Sequence, residues 1–470
     1  MQSRVIPSRR GLLTGAAVTL AFAGAARAQT AADAPTYRNE VDGYGALTPD
    51  PYGVFDLPAG FSYKVISQVG ETMSDGLLVP YKMDGMGAFA GPDGATVLVR
   101  NHELGLRDMN TGPAGFGHRL LDRLAADKAY DRWDTGRPLN GGTTTLVYDT
   151  RTQRLVSQHQ SLIGTAVNCA GGVTPWGSWL TCEETLIKPG SDPVGKAHGW
   201  VFEVPSAARG LVEPVPLKAM GRFKHEAACV DPRTGVVYLT EDQNESLFYR
   251  FLPAVPGELA HGGRLQALGF RDASAGADAR NWEAAAWAVG EWKDAVWIDL
   301  DNVESPDDNL RLRGHASGAA IFARGEGIHW GDGELYFTAT SGGPAKRGQI
   351  LRYVPSPREG QADEAAEPGR LQLFLQTADE SVFNMGDNLT VAPWGHLIVC
   401  EDNYSPTLRN HLKGVTPDGR VYTIGRNVYR DNAELAGVCF SPDGGTLFVN
   451  VYYPGMTLAI TGPWGSLKAS

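Results

Sequence analysis

A tight turn built around Pro or Gly recurs six times along the chain. Five carboxylates and one thiol stand at nearly the same distance ahead of it. Cys169, Glu226 and Asp387 lie six residues before Pro175, Pro232 and Pro393. Glu326 lies five before Gly331, and Asp84 and Glu434 lie eight before Pro92 and Pro442. Beyond the turns comes a second acidic set: Glu103, Glu183, Glu184, Glu241, Asp242, Glu401 and Asp402. Carboxylates gathered this densely repel one another unless cations sit between them, and an oxygen-rich donor set favours hard ions, Ca²⁺ first. Cys169 is the one cysteine in the inner series, and a thiolate beside carboxylates adds a transition metal to the Ca²⁺. The expected metal ligands are therefore Cys169, Glu226, Glu326 and Asp387 from the inner set, with Glu103, Glu183, Glu241 and Glu401 from the outer one. Arg324, two residues before Glu326, falls on the same side of an extended chain. It suits either a phosphate-like oxyanion beside cations or an ion pair with a surplus acid.

Other catalytic motifs fail on their details. Gly190 to Lys196 imitates a phosphate loop, but Ala197 replaces the hydroxyl residue and no strand leads in. His225-Glu226-Ala227-Ala228-Cys229 lacks the second His of a zinc protease, and no Gly-x-Ser-x-Gly elbow occurs. Metal-assisted chemistry is what remains.

The elements that position these residues are read from the runs around each turn. Each turn joins two short apolar runs rich in β-branched and aromatic residues, and two more strand-like runs follow. Fourth strands read as Arg154–Ser161, Glu213–Met220, Arg264–Phe270, Arg370–Thr377 and Val421–Gly425, one short of six. Phe61–Val69, just ahead of the first unit, can supply the missing one. The expected fold is all-β, a six-bladed β-propeller whose last blade is closed by that N-terminal strand, which hides both sheet edges. A β-sandwich would need no such repeat. The stretch around 271–324 exceeds a blade connection. It reads as a lid or side excursion, with a helix over Asn281–Trp292 and a solvated acidic run at Asp301, Glu304, Asp307 and Asp308.

Ser8-Arg9-Arg10-Gly11-Leu12-Leu13, a short apolar run and Ala26-Arg27-Ala28 read as a cleavable twin-arginine export signal over residues 1–28. One domain over 29–470 follows, periplasmic or secreted after export by the twin-arginine machinery. A hydrophobic share of 42% argues against a disordered chain, and a formal net charge of −11 argues against a nucleic-acid partner.

Six stretches run through the chain: Arg100-Asn101-His102-Glu103, Asn168 to Gly172 with Trp179 to Glu184, Gly221 to Glu226, Phe322 to Gly327, Asp387-Asn388-Leu389 and Ser441 to Asn450. On them the chain resembles the PhoX family of secreted alkaline phosphatases. The resemblance implies a monomeric six-bladed propeller holding Ca²⁺ ions and an oxo-bridged Fe³⁺ pair. Cys169 would be an iron ligand, Glu226, Glu326 and Asp387 would bind metal, and Arg324 would grip phosphate. The catalytic set is then Arg324, Glu326 and Cys169, acting on small phosphate esters. Two departures stand out: the chain is shorter than the family's well-known phosphatases, and Gly325 stands where Pro is expected. A Ca²⁺-dependent lactonase or esterase on the same fold, needing no thiolate, is the rival reading. A non-enzymatic propeller scaffold is the other.

Overall fold

The computed structural model describes residues 37–470 apart from 274, 284, 285, 406–408, 430, 431 and 468–470. The export signal read at residues 1–28 lies outside the described residues.

The described chain is almost wholly antiparallel strand, with one short α-helix at Leu310–Ala316. Six inner strands start the six sequence repeats: Met83–Ala90, Asn168–Val173, His225–Val230, Gly325–Trp330, Gly386–Val391 and Leu435–Phe440. Each packs beside the next and the last returns to the first, so they form a closed ring about one axis. From each, further strands step outward in sequence order, a propeller-like arrangement of sheets. The outermost strand of the sixth group is Ser62–Gln68. It pairs antiparallel with Met456–Thr461, so the two ends of the described chain meet in one sheet. Chain upstream also adds Phe55–Pro58 to the outer edge of the fifth group, against Val421–Asn427.

Three sequence expectations are corrected. The second group has three strands, because Glu213–Met220 is not a fourth. Pro214 and Pro216 each lack the N–H a ladder needs, and only an isolated bridge from Pro216 to Phe202 remains. Asn281–Trp292 is not a helix. Asn281 takes a left-handed φ of 56°, and its side-chain amide brackets the Trp287 backbone, accepting from its N–H and donating to its C=O. Trp292–Asp299 is a strand lodged between Gly263–Phe270 and Arg370–Gln376, which fuses the third and fourth groups into one nine-stranded sheet. The middle of the long excursion is thus part of the outer rim.

Small residues let the inner strands approach so closely. A Cβ added at Gly327 would lie 2.6 Å from Asn388 Cα, and one at Gly172 would overlap the Ala228 carbonyl oxygen. Between the strands runs an axial cavity of about 370 Å³, lined by Met86, Trp179, Val230, Trp330 and Val438 among others, with no carboxylate on its wall. The inner acidic series stands where these strands begin, at the end of the axis opposite their turns. Gly172→Ala is expected to cost about 1–3 kcal/mol by overpacking. Gly210→Ala, with open space around its Cβ, should leave stability unchanged, both read by denaturant titration.

Candidate metal centre

The start of the inner strands follows one local design. Lys82, Val167, Arg324 and Met385, each immediately ahead of its strand, adopt left-handed φ values of 50°, 53°, 56° and 54°. Non-glycine residues rarely do so, a β-branched one such as Val167 least of all. A bulge follows in every inner strand, between Met83 and Met86, Asn168 and Gly171, His225 and Ala228, Gly325 and Ile328, Gly386 and Leu389, and Ala436 and Cys439. In the first five strands Asp84, Cys169, Glu226, Glu326 and Asp387 occupy that bulge, where the extra residue re-aims the side chain.

The second strands end against the same design. The N–H groups of Glu103, Glu184, Asp242, Thr340, Asp402 and Tyr452 donate to the carbonyls of Lys82, Val167, Lys224, Arg324, Met385 and Glu434. Glu434 is therefore the counterpart of Arg324, not of Glu326, and the sixth inner strand puts Gly437 and Val438, neither of them a donor, at its bulge. Its carboxyl still reaches the cluster, where burial, then Asp402 and Asp84, push it well above the usual range.

Among the described residues two three-donor groups result. One oxygen each from Glu184 and Glu226 lies with the Cys169 sulfur inside a 4.8 Å span, and Glu226, Glu326 and Asp387 form a second such set. Glu226 belongs to both. It is 1% exposed, and neither of its oxygens has a hydrogen-bond partner; Asp84 Oδ1 is likewise buried and unpartnered. Burying a carboxylate with no donor costs several kcal/mol, roughly, unless an ion completes it. The donor chemistry, carboxylates with one thiol, fits metal ions.

The electrostatics say the same. Burial and then Glu326 and Asp387 raise Glu226 well above a normal carboxylate, and burial with Asp242 and Asp387 does so for Glu326. Asp387 is pushed up to about 8 by burial and then Asp402, and Glu184 to about 8 by burial, Asp242 and Glu103. Burial followed by Asp84 and Glu226 raises the Cys169 thiol, whose sulfur sits 3.6 Å from Asp84 Oδ2. Burial and mutual repulsion raise the proton affinity of these groups, and cations compete for the same lone pairs.

Four outer-set residues expected as ligands separate here. Glu103 lies in the cluster beside Asp84 and takes a hydrogen bond from Tyr452, but joins neither three-donor group. Glu183, Glu241 and Glu401 turn away into the sheets. Glu183 accepts from the N–H groups of Ala166, Gly199 and Trp200 and meets His198 Nδ1 at 2.6 Å. Glu241 accepts from Tyr249 at 2.7 Å, and Glu401 from Asn384 N and from His411 N and Nδ1. Their chain neighbours Glu184, Asp242 and Asp402 face the axis instead, since adjacent strand residues point to opposite sides. The sequence signal was the doubled acid itself: only one of each pair can face inward.

Arg324 sits among the donors. Its Nε and Nη2 donate to the two oxygens of Asp242 at 2.7 and 3.1 Å, and Nη2 to Glu326 at 2.8 Å. These bonds use one edge of the guanidinium and leave Nη1 outside them.

Two outcomes follow. Glu184→Gln should lower the metal content found by elemental analysis. Glu183→Gln should keep the metal and lose about 1–3 kcal/mol of stability. His198, between Glu183 and Asp131, is opposed by burial but carried by those two acids up to about 9. An unfolded His titrates near 6.5, so this contribution is full below about pH 6.5 and is lost as pH rises through about 9. The stability gap between wild type and His198→Gln should close across that window in denaturant titrations.

The family model of alkaline phosphatase PhoX matches residues 42–455. No curated protein matches the chain in sequence. Among solved structures, Pseudomonas fluorescens PhoX in complex with vanadate, a transition-state analogue, aligns with a TM-score of 0.65 at 19% identity, over 90% of this chain and 97% of that one. XC5397 of Xanthomonas campestris, a gluconolactonase, aligns at 0.39 and 13% identity, over 89% of this chain and 98% of that one. The first likeness carries the propeller fold, and the family match spans both donor groups and Arg324. The chain belongs to the PhoX family of alkaline phosphatases, metal-dependent enzymes that hydrolyse phosphate esters.

Proposed function

We propose that the six groups are the blades of a six-bladed β-propeller, and that the acid end of its axis is a Ca²⁺/Fe³⁺ centre for phosphomonoester hydrolysis. The observation that carries this reading is Glu226, a buried carboxylate with two unpartnered oxygens shared by two donor groups. Cys169 gives the first group a soft ligand suited to iron, while Glu226, Glu326 and Asp387 make an all-oxygen set suited to a hard ion. Such ions, when bound, act as Lewis acids toward the phosphoryl group and the attacking oxygen.

The chain's own part is binding and orientation. Asp242 fixes the guanidinium plane of Arg324 through two bonds, so Nη1 is held ready to donate to a phosphoryl oxygen. Gathering charge on that oxygen in the transition state strengthens the contact, which is the form of binding that raises rate. Hydrolysis returns the alcohol and inorganic phosphate. With the export signal read at residues 1–28, we place the enzyme outside the cytoplasm, as a monomer working on small phosphate esters.

The test joins elemental analysis to p-nitrophenyl phosphate hydrolysis. Ca²⁺ and iron should be bound, EGTA should abolish turnover, and thiolate-to-iron charge transfer should colour the protein. Cys169→Ser should bleach that band, whereas Cys229→Ser should not. Arg324→Ala should lower kcat/KM by about 100-fold or more while the fold is kept. A colourless, iron-free and fully active wild type would move the weight to a Ca²⁺-only hydrolase.

A further inference from the structure

Arg324 has a counterpart one strand away. Lys224 stands two residues before Glu226 as Arg324 stands two before Glu326, and both lie where the second strand of their sheet ends. Asp242 sits between them: its backbone N–H donates to the Lys224 carbonyl at 3.2 Å, and its carboxylate holds Arg324. Both cations are reachable, with Lys224 35% and Arg324 22% exposed at the side chain. At the equivalent places elsewhere stand Lys82, which is tied to Asp108 at 3.0 Å outside the donor groups, Val167, Met385 and Glu434. The positive charge is thus concentrated on one arc of the mouth.

The partners of these two cations are the informative part. Lys224 Nζ lies 3.4 Å from Glu184 Oε1, and Arg324 Nη2 lies 2.8 Å from Glu326 Oε1. Glu184 belongs to the donor group with Cys169, and Glu326 to the group with Asp387. Each cation therefore leans on a carboxylate that a metal would claim. Once Glu184 and Glu326 are committed to metal, Asp242 alone is left to balance two positive charges, and the arc carries a net positive charge facing solvent.

We propose that Lys224 is a second phosphate-binding residue, forming with Arg324 a two-cation clamp that is complete only in the metal-loaded enzyme. The clamp suits the dianion of a phosphate monoester better than the monoanion of a diester. This rests on the phosphatase reading of the same site, and it names a residue that reading does not use.

The test titrates inorganic phosphate into the metal-loaded enzyme by calorimetry, with metal content measured on each sample. Lys224→Met should keep its metal and raise the Kd for phosphate by about 10–100-fold, the loss of one charge-assisted contact. Lys224→Arg should restore most of the affinity. Lys64→Met, on the exposed outer strand, should bind as wild type. An unchanged Kd in metal-replete Lys224→Met overturns the proposal. Loss of metal together with phosphate binding overturns it too, making Lys224 a brace for Glu184. If the wild type binds phosphate but cleaves no ester, the phosphatase reading fails while the clamp stands. If the wild type cleaves esters and Lys224→Met binds phosphate normally, only the clamp fails.

Discussion

The structure depends on bringing like charges together. Closing six inner strands around one axis places Asp84, Glu226, Glu326 and Asp387 from four different inner strands into a common electrostatic neighbourhood, with Glu184, Asp242, Asp402 and Glu434 around them. Two like charges 4 Å apart cost about 4 kcal/mol at the effective dielectric of a protein surface, and burial raises that further. The cluster answers with raised proton affinities, Asp387 and Glu184 being pushed up to about 8. A site so unfavourable as bare carboxylates is one whose free energy is recovered by binding cations, which makes metal affinity and ring closure two sides of one constraint.

Backbone devices hold the cluster against that repulsion. The left-handed residues ahead of four inner strands and the bulge in all six turn side chains inward that a regular strand would point elsewhere. Glycines such as Gly327 and Gly172 permit backbone contact between neighbouring inner strands. Behind the cluster, Glu183, Glu241 and Glu401 take backbone N–H groups and ring or hydroxyl donors from the third strands or the loops before them. At these three second-strand termini one acid thus faces the carboxylate cluster, and its neighbour ties the sheet that presents it.

The two cations are placed asymmetrically. Arg324 and Lys224 both lie beside Asp242, on the arc where the third and fourth groups meet. Those same groups are fused at the rim by Trp292–Asp299, so the arc bearing the positive charge belongs to one continuous sheet. An anionic substrate approaching the acid end meets attraction on that side and carboxylates elsewhere, which orients it before any metal contact.

Much was legible in the sequence because the repeat is regular. Turn residues at fixed offsets and alternating apolar runs specify hairpins locally, and the recurring offset from the turn singled out Cys169, Glu226, Glu326 and Asp387. The missing sixth fourth strand likewise pointed to Phe61–Val69, where Ser62–Gln68 closes the ring. Facing directions were not legible. Glu183 and Glu184 are chemically alike neighbours, and which of them turns to the axis is decided by the left-handed residue and bulge of the adjoining strand, whose φ no side-chain type announces. Glu434 was misaligned by its offset: it lies eight residues before Pro442, whereas the place six before, which matches Glu226, is taken by Ala436. Pro214 and Pro216 undid a predicted strand by lacking the N–H groups a ladder needs, and Asn281 undid a predicted helix by capturing the Trp287 backbone six residues on. The sequence by itself determined the repeat and the inventory of donors, since turns and alternation are local. Only the tertiary structure decided which donors converge, because convergence is a property of how six inner strands close on one axis.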